Sequence, residues 1–133
     1  MPIDFSFSQE VEDARLMMRG FLQDTVKPAF AALQADKDAQ RADWSALVKS
    51  LRQKAKAQGF WLPHMPQDVG GMGLGVTALA AVSAEAAKIP MGPYIINAQA
   101  PDEGNMHTLY HFATDYQREH FLKPLLEGTA RSC

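Results

Sequence analysis

The 133-residue sequence has one cysteine, Cys133, at its last position. That excludes an intrachain disulfide and a cysteine-based metal cluster, and fits a reducing, cytoplasmic location. Asp4 stands where a secretory leader would carry basic charge, and the first basic residue is Arg15, so no signal peptide is expected. No apolar run exceeds the five residues of 78–82, against about 20 needed to span a bilayer. The formal net charge is −2 with no block of Lys or Arg, which argues against a nucleic-acid surface. β-Branched residues are sparse and no segment alternates with period two, so a sheet is not expected. Internal repeats and low-complexity tracts are also missing.

Helical patterning is abundant. The fold class predicted is all-α, a bundle of about six helices, some very short, in one domain over residues 1–133. After a lead-in at 1–8, Ser6 or Ser8 can cap a helix with Val11, Ala14, Met18, Phe21, Leu22 and Thr25 on its core face. Pro28 should kink or end it near Lys27, and the Ala-rich segment 29–35 can resume it. Residues 36–42 read as a polar loop. Asp43 is a good N-cap for a second helix with Trp44, Leu47, Leu51 and Ala55 in its stripe and Gly59 as its stop. Phe60, Trp61, Leu62 and Pro63 form an apolar exit strip. Residues 66–75 are too rich in Pro and Gly for a helix or strand. Thr77 is expected to cap a third helix carrying Leu79, Val82, Ala86 and Ile89, ended by Pro90.

The stretch 100–128 packs several short pieces between turn signals. Pro101, Asp102 and Gly104-Asn105 read as a turn before a helix with Met106, Leu109, Tyr110 and Ala113 on one face. Thr114 and Gln117 have capping-box spacing. Phe121 and Leu122 follow, Pro124 marks a turn, a kink or a fresh first helical position, and Gly128 is a natural stop.

The chemical motifs are weak. Gly71, Gly73 and Gly75 lack both the G-x-G-x-x-G order and a preceding strand, so they read as a structural turn. His107 and His111 can share a helical face with Glu103 one turn earlier, but a catalytic zinc site wants more, and no metal is expected. His107 could sit near a pocket; His64 and His120 look like surface positions. Asp102 and Glu103 read as helix-start carboxylates, stabilised in their charged form. Met18 and Met106 belong to the core, whereas Met65 and Met72 in the loop could be partly exposed.

Gln117, Arg118, Glu119, Phe121, Leu122, Pro124, Leu125, Leu126 and Gly128 together spell a pattern that resembles the N-terminal helical domain of the flavin-dependent acyl-CoA dehydrogenases. Ala100-Pro101-Asp102, with Gly104-Asn105-Met106, looks most like the branch in which some members are fused to a phosphotransferase-like domain. Trp44, Gly59-x-Trp61, Pro66 with Gly70-Gly71-x-Gly73, and Pro90-x-Gly92-Pro93 match further landmarks, so the resemblance covers roughly residues 5–133.

The resemblance implies a helical domain of an FAD enzyme that oxidises the Cα–Cβ bond of an acyl-CoA thioester, assembled as a homo-oligomer. The family's base is usually a glutamate of its C-terminal domain, so no carboxylate here inherits a catalytic role. The sequence stops where the family's flavin-binding β domain would begin; the chain alone is expected to be inert and not to hold FAD tightly. Asn97, Ala98, Gly104, Asn105, His107 and Thr108 are, by the same resemblance, candidates for lining one wall of the acyl pocket. A stretch mixing Ala, Gly and Met with Asn and Thr suits an apolar slot with a few orienting groups. The alternative of another class is a free-standing helical module that binds a partner or hydrophobic ligand without catalysis. A severed domain should expose an apolar patch that a stand-alone module would not.

Overall fold

The protein is described here from a computed structural model, for residues 6–133. Of the lead-in predicted at 1–8, residues 1–5 lie outside that description.

Among the described residues there are six helical rods and no strand. The first, α1, runs through Gln9–Phe21, a π-helical turn at Leu22–Val26, and Lys27–Ala35. Ser8 caps it, its side chain accepting from the Val11 N–H. Of the two outcomes expected at Pro28, an end or a kink, the rod does not end there: a π-helical turn precedes the proline and the Ala-rich segment carries the helix on to Ala35. A proline lacks an N–H and collides with the carbonyl four residues back. The wider turn before it relieves both problems, with the Lys27 N–H reaching back five residues to the Leu22 carbonyl. The same solution recurs in the last rod, where the Lys123 N–H reaches the Arg118 carbonyl just ahead of Pro124.

Helix α2 is Arg41–Ala57. It starts one turn earlier than predicted, because Asp43 acts from its third position: its carboxylate accepts the Gln40 N–H at 2.7 Å. Gly59, at φ +77, makes the left-handed turn that releases the chain from α2. Residues 60–65 then dive into the core, and Met65 is 1 % exposed, not partly exposed as predicted. A short 3₁₀ turn at Gln67–Val69 sits in the glycine loop. Gly71 has a steric reason to be glycine: a Cβ there would lie 2.0 Å from the Met65 carbonyl oxygen.

Helix α3 is Val76–Ala87, with Gly75 at its N-cap, so Thr77 falls inside the first turn instead of capping it. Ile89 lies in the turn beyond the helix and is still buried. Helix α4 is the single turn Gly92–Ile95. Helix α5 is Asp102–Phe112, and here the expected Gly104-Asn105 turn is absent: both residues are helical. Helix α6 runs through Asp115–Gln117, a π turn at Arg118–Leu122, and Lys123–Glu127. It begins with the predicted capping box, Thr114 and Gln117 each accepting the other's backbone N–H, and ends at Gly128, φ +69.

Helix α1 packs along α3, and α5 packs against α6. One continuous core joins them, with Met18, Leu22 and Val26 of α1, Leu51 of α2, Val82 of α3, Met106 of α5 and Leu125 of α6 all buried. Each such side chain contributes about 1.5–3 kcal/mol through apolar burial. A polar seam runs beside it. The Glu85 carboxylate of α3 accepts from Arg15 and Arg19 of α1 and from Lys88.

Candidate functional site

Helix α5 is fastened at its first residue. Asp102 is 1 % exposed. It is not a free cap: its carboxylate accepts the Ser132 N–H and hydroxyl, both at 2.7 Å, and pairs with Arg131. Burial pushes this carboxyl upward, but the Ser132 donors and the Arg131 guanidinium outweigh it and hold the group below the usual aspartate range. The segment 130–132 is thereby laid against α5 and α6.

A groove of about 400 Å³ lies between those three elements. Its floor is hydrocarbon, from Leu109, Phe121, Pro124 and Leu125. Asn105 and Thr108 line it as well, with their polar groups spoken for: Asn105 Nδ2 donates to Ser132 Oγ at 2.9 Å, and Thr108 Oγ1 donates to the Gly104 carbonyl at 3.0 Å. Gly104 is exposed on the same helix. Of the six positions predicted from sequence, Asn105 and Thr108 therefore share one groove.

Asn97, Ala98 and His107 lie elsewhere. Asn97 is 2 % exposed. Its amide ties three parts of the chain together, accepting from Arg52 of α2 and donating to the Leu125 carbonyl, each at 2.9 Å. It sits at φ +57, a conformation asparagine tolerates better than most residues. Ala98 packs against the core beside it.

His107 meets a residue that the sequence reading put on the surface. His64 is 7 % exposed. Its Nε2 is 3.1 Å from the Asn97 carbonyl and its Nδ1 is 3.3 Å from His107 Nε2. A carbonyl can only accept, so His64 carries its proton on Nε2. Its Nδ1 is then an acceptor, and His107 Nε2–H is the donor. Burial holds the His64 imidazole below its ordinary range, which favours this neutral form. The signal was present in the sequence: His64 follows directly on the apolar strip 60–63, which turns inward and carries the histidine with it. His111 is exposed and stacks near His107, with ring centroids 6.5 Å apart. Among the described residues, no group of three or more His, Cys, Asp or Glu is placed to hold a metal ion.

Residues 8–129 match the family model described as acyl-CoA dehydrogenase, N-terminal domain, and the chain belongs to that family. Among curated proteins, it is 34 % identical over 137 residues to the probable acyl-CoA dehydrogenase FadE2 of Mycobacterium tuberculosis, covering 98 % of this chain and 32 % of that protein. It is 31 % identical over 134 residues to acyl-CoA dehydrogenase family member 11 of Gallus gallus, covering 97 % of this chain and 17 % of that protein. A solved Mycobacterium abscessus structure, described as an acyl-CoA dehydrogenase, superposes with a TM-score of 0.82 at 28 % identity, over 96 % of this chain and 34 % of that one. The chain thus spans about a third or less of the length of these relatives. Among the described residues, no helix is long and apolar enough to cross a membrane.

Proposed function

We propose that residues 1–133 are a single helical domain of an FAD-dependent enzyme that dehydrogenates acyl-CoA thioesters between Cα and Cβ, and that this domain forms one wall of the acyl pocket. The observation that carries the reading is the α5–α6 groove: apolar side chains of Leu109, Phe121, Pro124 and Leu125 with the polar groups of Asn105, Thr108, His120, Arg131 and Ser132 around them, in a chain of this family. Such a slot holds an alkyl chain by burial and orients it by few polar contacts.

The same donor set does not fit the flavin. Asn105, Thr108 and Ser132 are already bonded within the chain, Arg131 is paired with Asp102 and His120 Nδ1 is bonded to the Tyr116 carbonyl, a set committed to the fold instead of to a dinucleotide's pyrophosphate. FAD would be held by other parts of the enzyme. Nor does Asp102 suit a proton abstraction. A carboxyl held below its usual range by Ser132 and Arg131 is a weak base. The domain's part is to bind, orient and exclude water.

Exposed aromatic side chains support a domain with neighbours over a free-standing module. Phe112 is 83 %, Tyr116 65 % and Phe121 53 % exposed, and the Tyr116 and Phe121 rings are 6.4 Å apart. A face of this kind is ordinarily covered, by the rest of the polypeptide and by the other subunits of a homo-oligomer. The lone cysteine fits a cytoplasmic enzyme.

The test is Leu109→Trp in the complete enzyme. Filling the groove should cut kcat/KM for long acyl-CoA substrates by about tenfold or more, while short-chain substrates change little. An unchanged chain-length profile would refute the wall assignment.

A further inference from the structure

A larger cavity, of about 720 Å³, lies away from the α5–α6 groove, between α2, the Trp61 corner, α4 and the end of α6. One face of α2 supplies Arg41, Lys49, Arg52 and Lys56 to its lining, and Glu127 is the single carboxylate there. The positive charge is crowded, with four cations to one carboxylate, although Lys56 Nζ donates to the Glu127 carbonyl at 2.6 Å and lies 4.5 Å from the Trp61 ring centroid. Arg52 is flanked by the Trp61 and Tyr94 rings, its guanidinium 4.9 Å from each centroid. It donates to Gly128 O and Asn97 Oδ1, but its buried Nε has no hydrogen-bond partner. A buried donor left unpaired is uncommon and costly. Burial holds both Arg52 and Lys56 below their ordinary ranges, and a neighbouring cation adds to it in each case: Arg131 for Arg52, Arg52 for Lys56. Arg41 and Lys49 are exposed at the rim. Trp44, Val48 and Met91 give the rest of the lining an apolar surface.

From the cavity and its row of four cations facing a single carboxylate, we infer that this cleft binds a nucleotide-class ligand: a planar ring carrying phosphates. The phosphates neutralise the α2 row, and the ring covers the apolar surface that a bare inorganic anion would leave wet. The size is right for such a ligand, since small-molecule sites run to about 300–1,000 Å³. The inference is independent of the acyl-pocket reading. The two cavities share no lining residue, and either site can exist without the other.

The test uses the 133-residue chain, with ADP as probe and calorimetry plus the Trp44 and Trp61 indole N–H resonances as readouts. ADP should bind with a Kd below about 1 mM and shift both resonances. Affinity should fall as salt rises. Arg41→Glu with Lys49→Glu, both at the exposed rim, should weaken binding by about tenfold or more. Lys27→Glu with Lys37→Glu, equal in charge change but outside the cleft, should leave it within about twofold. Adenosine and pyrophosphate should each bind more weakly than ADP. The inference is overturned if ADP gives neither heat nor shift, if the rim and control variants behave alike, or if pyrophosphate equals ADP. It is also overturned if a hexaglutamate peptide displaces ADP at equal concentration, since that would mark the cleft as a seat for an acidic protein segment.

Discussion

Replacing Glu85 by Gln removes one negative charge from a seam that has three cations on it. The Glu85 side chain is 3 % exposed, whereas Arg15 is 19 %, Arg19 41 % and Lys88 55 % exposed. Arg19 foremost, then Lys88 and Arg15, hold the carboxyl down to about 2 against the upward push of burial. Taken without screening, a drop of that size from the ordinary glutamate value is worth about 3 kcal/mol. Arg19 and Lys88 stand largely in water, and screening reduces the expected contribution to about 1–2 kcal/mol. The sign follows from linkage. The folded form holds the proton less tightly than the unfolded chain, so the stabilisation is complete above the ordinary glutamate range, near pH 4.5, and is lost as pH falls towards 2. Urea denaturation of wild type and Glu85→Gln at pH 7 and at several points down to pH 2 measures this directly. The variant should be about 1–2 kcal/mol less stable at pH 7, and the gap should narrow steadily below pH 4.5. A gap that stays constant with pH, or none at pH 7, would refute the electrostatic account of the seam.

Two glycine substitutions should have opposite signs in the same denaturation assay. Gly71→Ala drives a Cβ into the Met65 carbonyl and should cost about 3 kcal/mol, whereas Gly104→Ala meets nothing within 4 Å in a helical position and should stabilise by about 0.5–1 kcal/mol. Asn97→Ala strips partners from Arg52 and the Leu125 carbonyl and should cost about 1–3 kcal/mol, seen as a lower urea midpoint with an unchanged slope. His64, buried and held below its ordinary range, costs the folded state nothing above about pH 6.5 and progressively destabilises it as pH falls; its imidazole resonances should titrate below the ordinary histidine range, and an ordinary midpoint would contradict its buried placement.

Local chemistry made much of the architecture legible. The period-three-and-four spacing of Met18, Phe21 and Leu22, the Thr114–Gln117 box and the stop at Gly128 are each decided by neighbours within one or two turns, and each is present in the structure. Readings that depended on distant parts of the chain went differently. At Pro28 a kink or an end could not be told apart, because the relief provided by the π turn at Leu22–Val26 is not written in any single residue. Asp102 looked like a cap because its partners, Arg131 and Ser132, are some thirty positions away. His64 looked superficial because the strip it continues folds inward only when Leu62 N–H meets the Ile96 carbonyl. At the candidate site the same division holds. Asn105 and Thr108 fall on one groove because they share a helix face with Leu109, while Asn97 and His107 are taken by long-range partners that spacing cannot reveal.

The central claim is that this domain serves an acyl-CoA-oxidising flavoenzyme, and anaerobic titration of the product of the full reading frame with acyl-CoA tests it most directly. The account predicts a flavin-containing protein whose oxidised flavin absorbance falls in proportion to added acyl-CoA. A product that carries no flavin, or a flavin that acyl-CoA thioesters of every chain length leave oxidised, would contradict it.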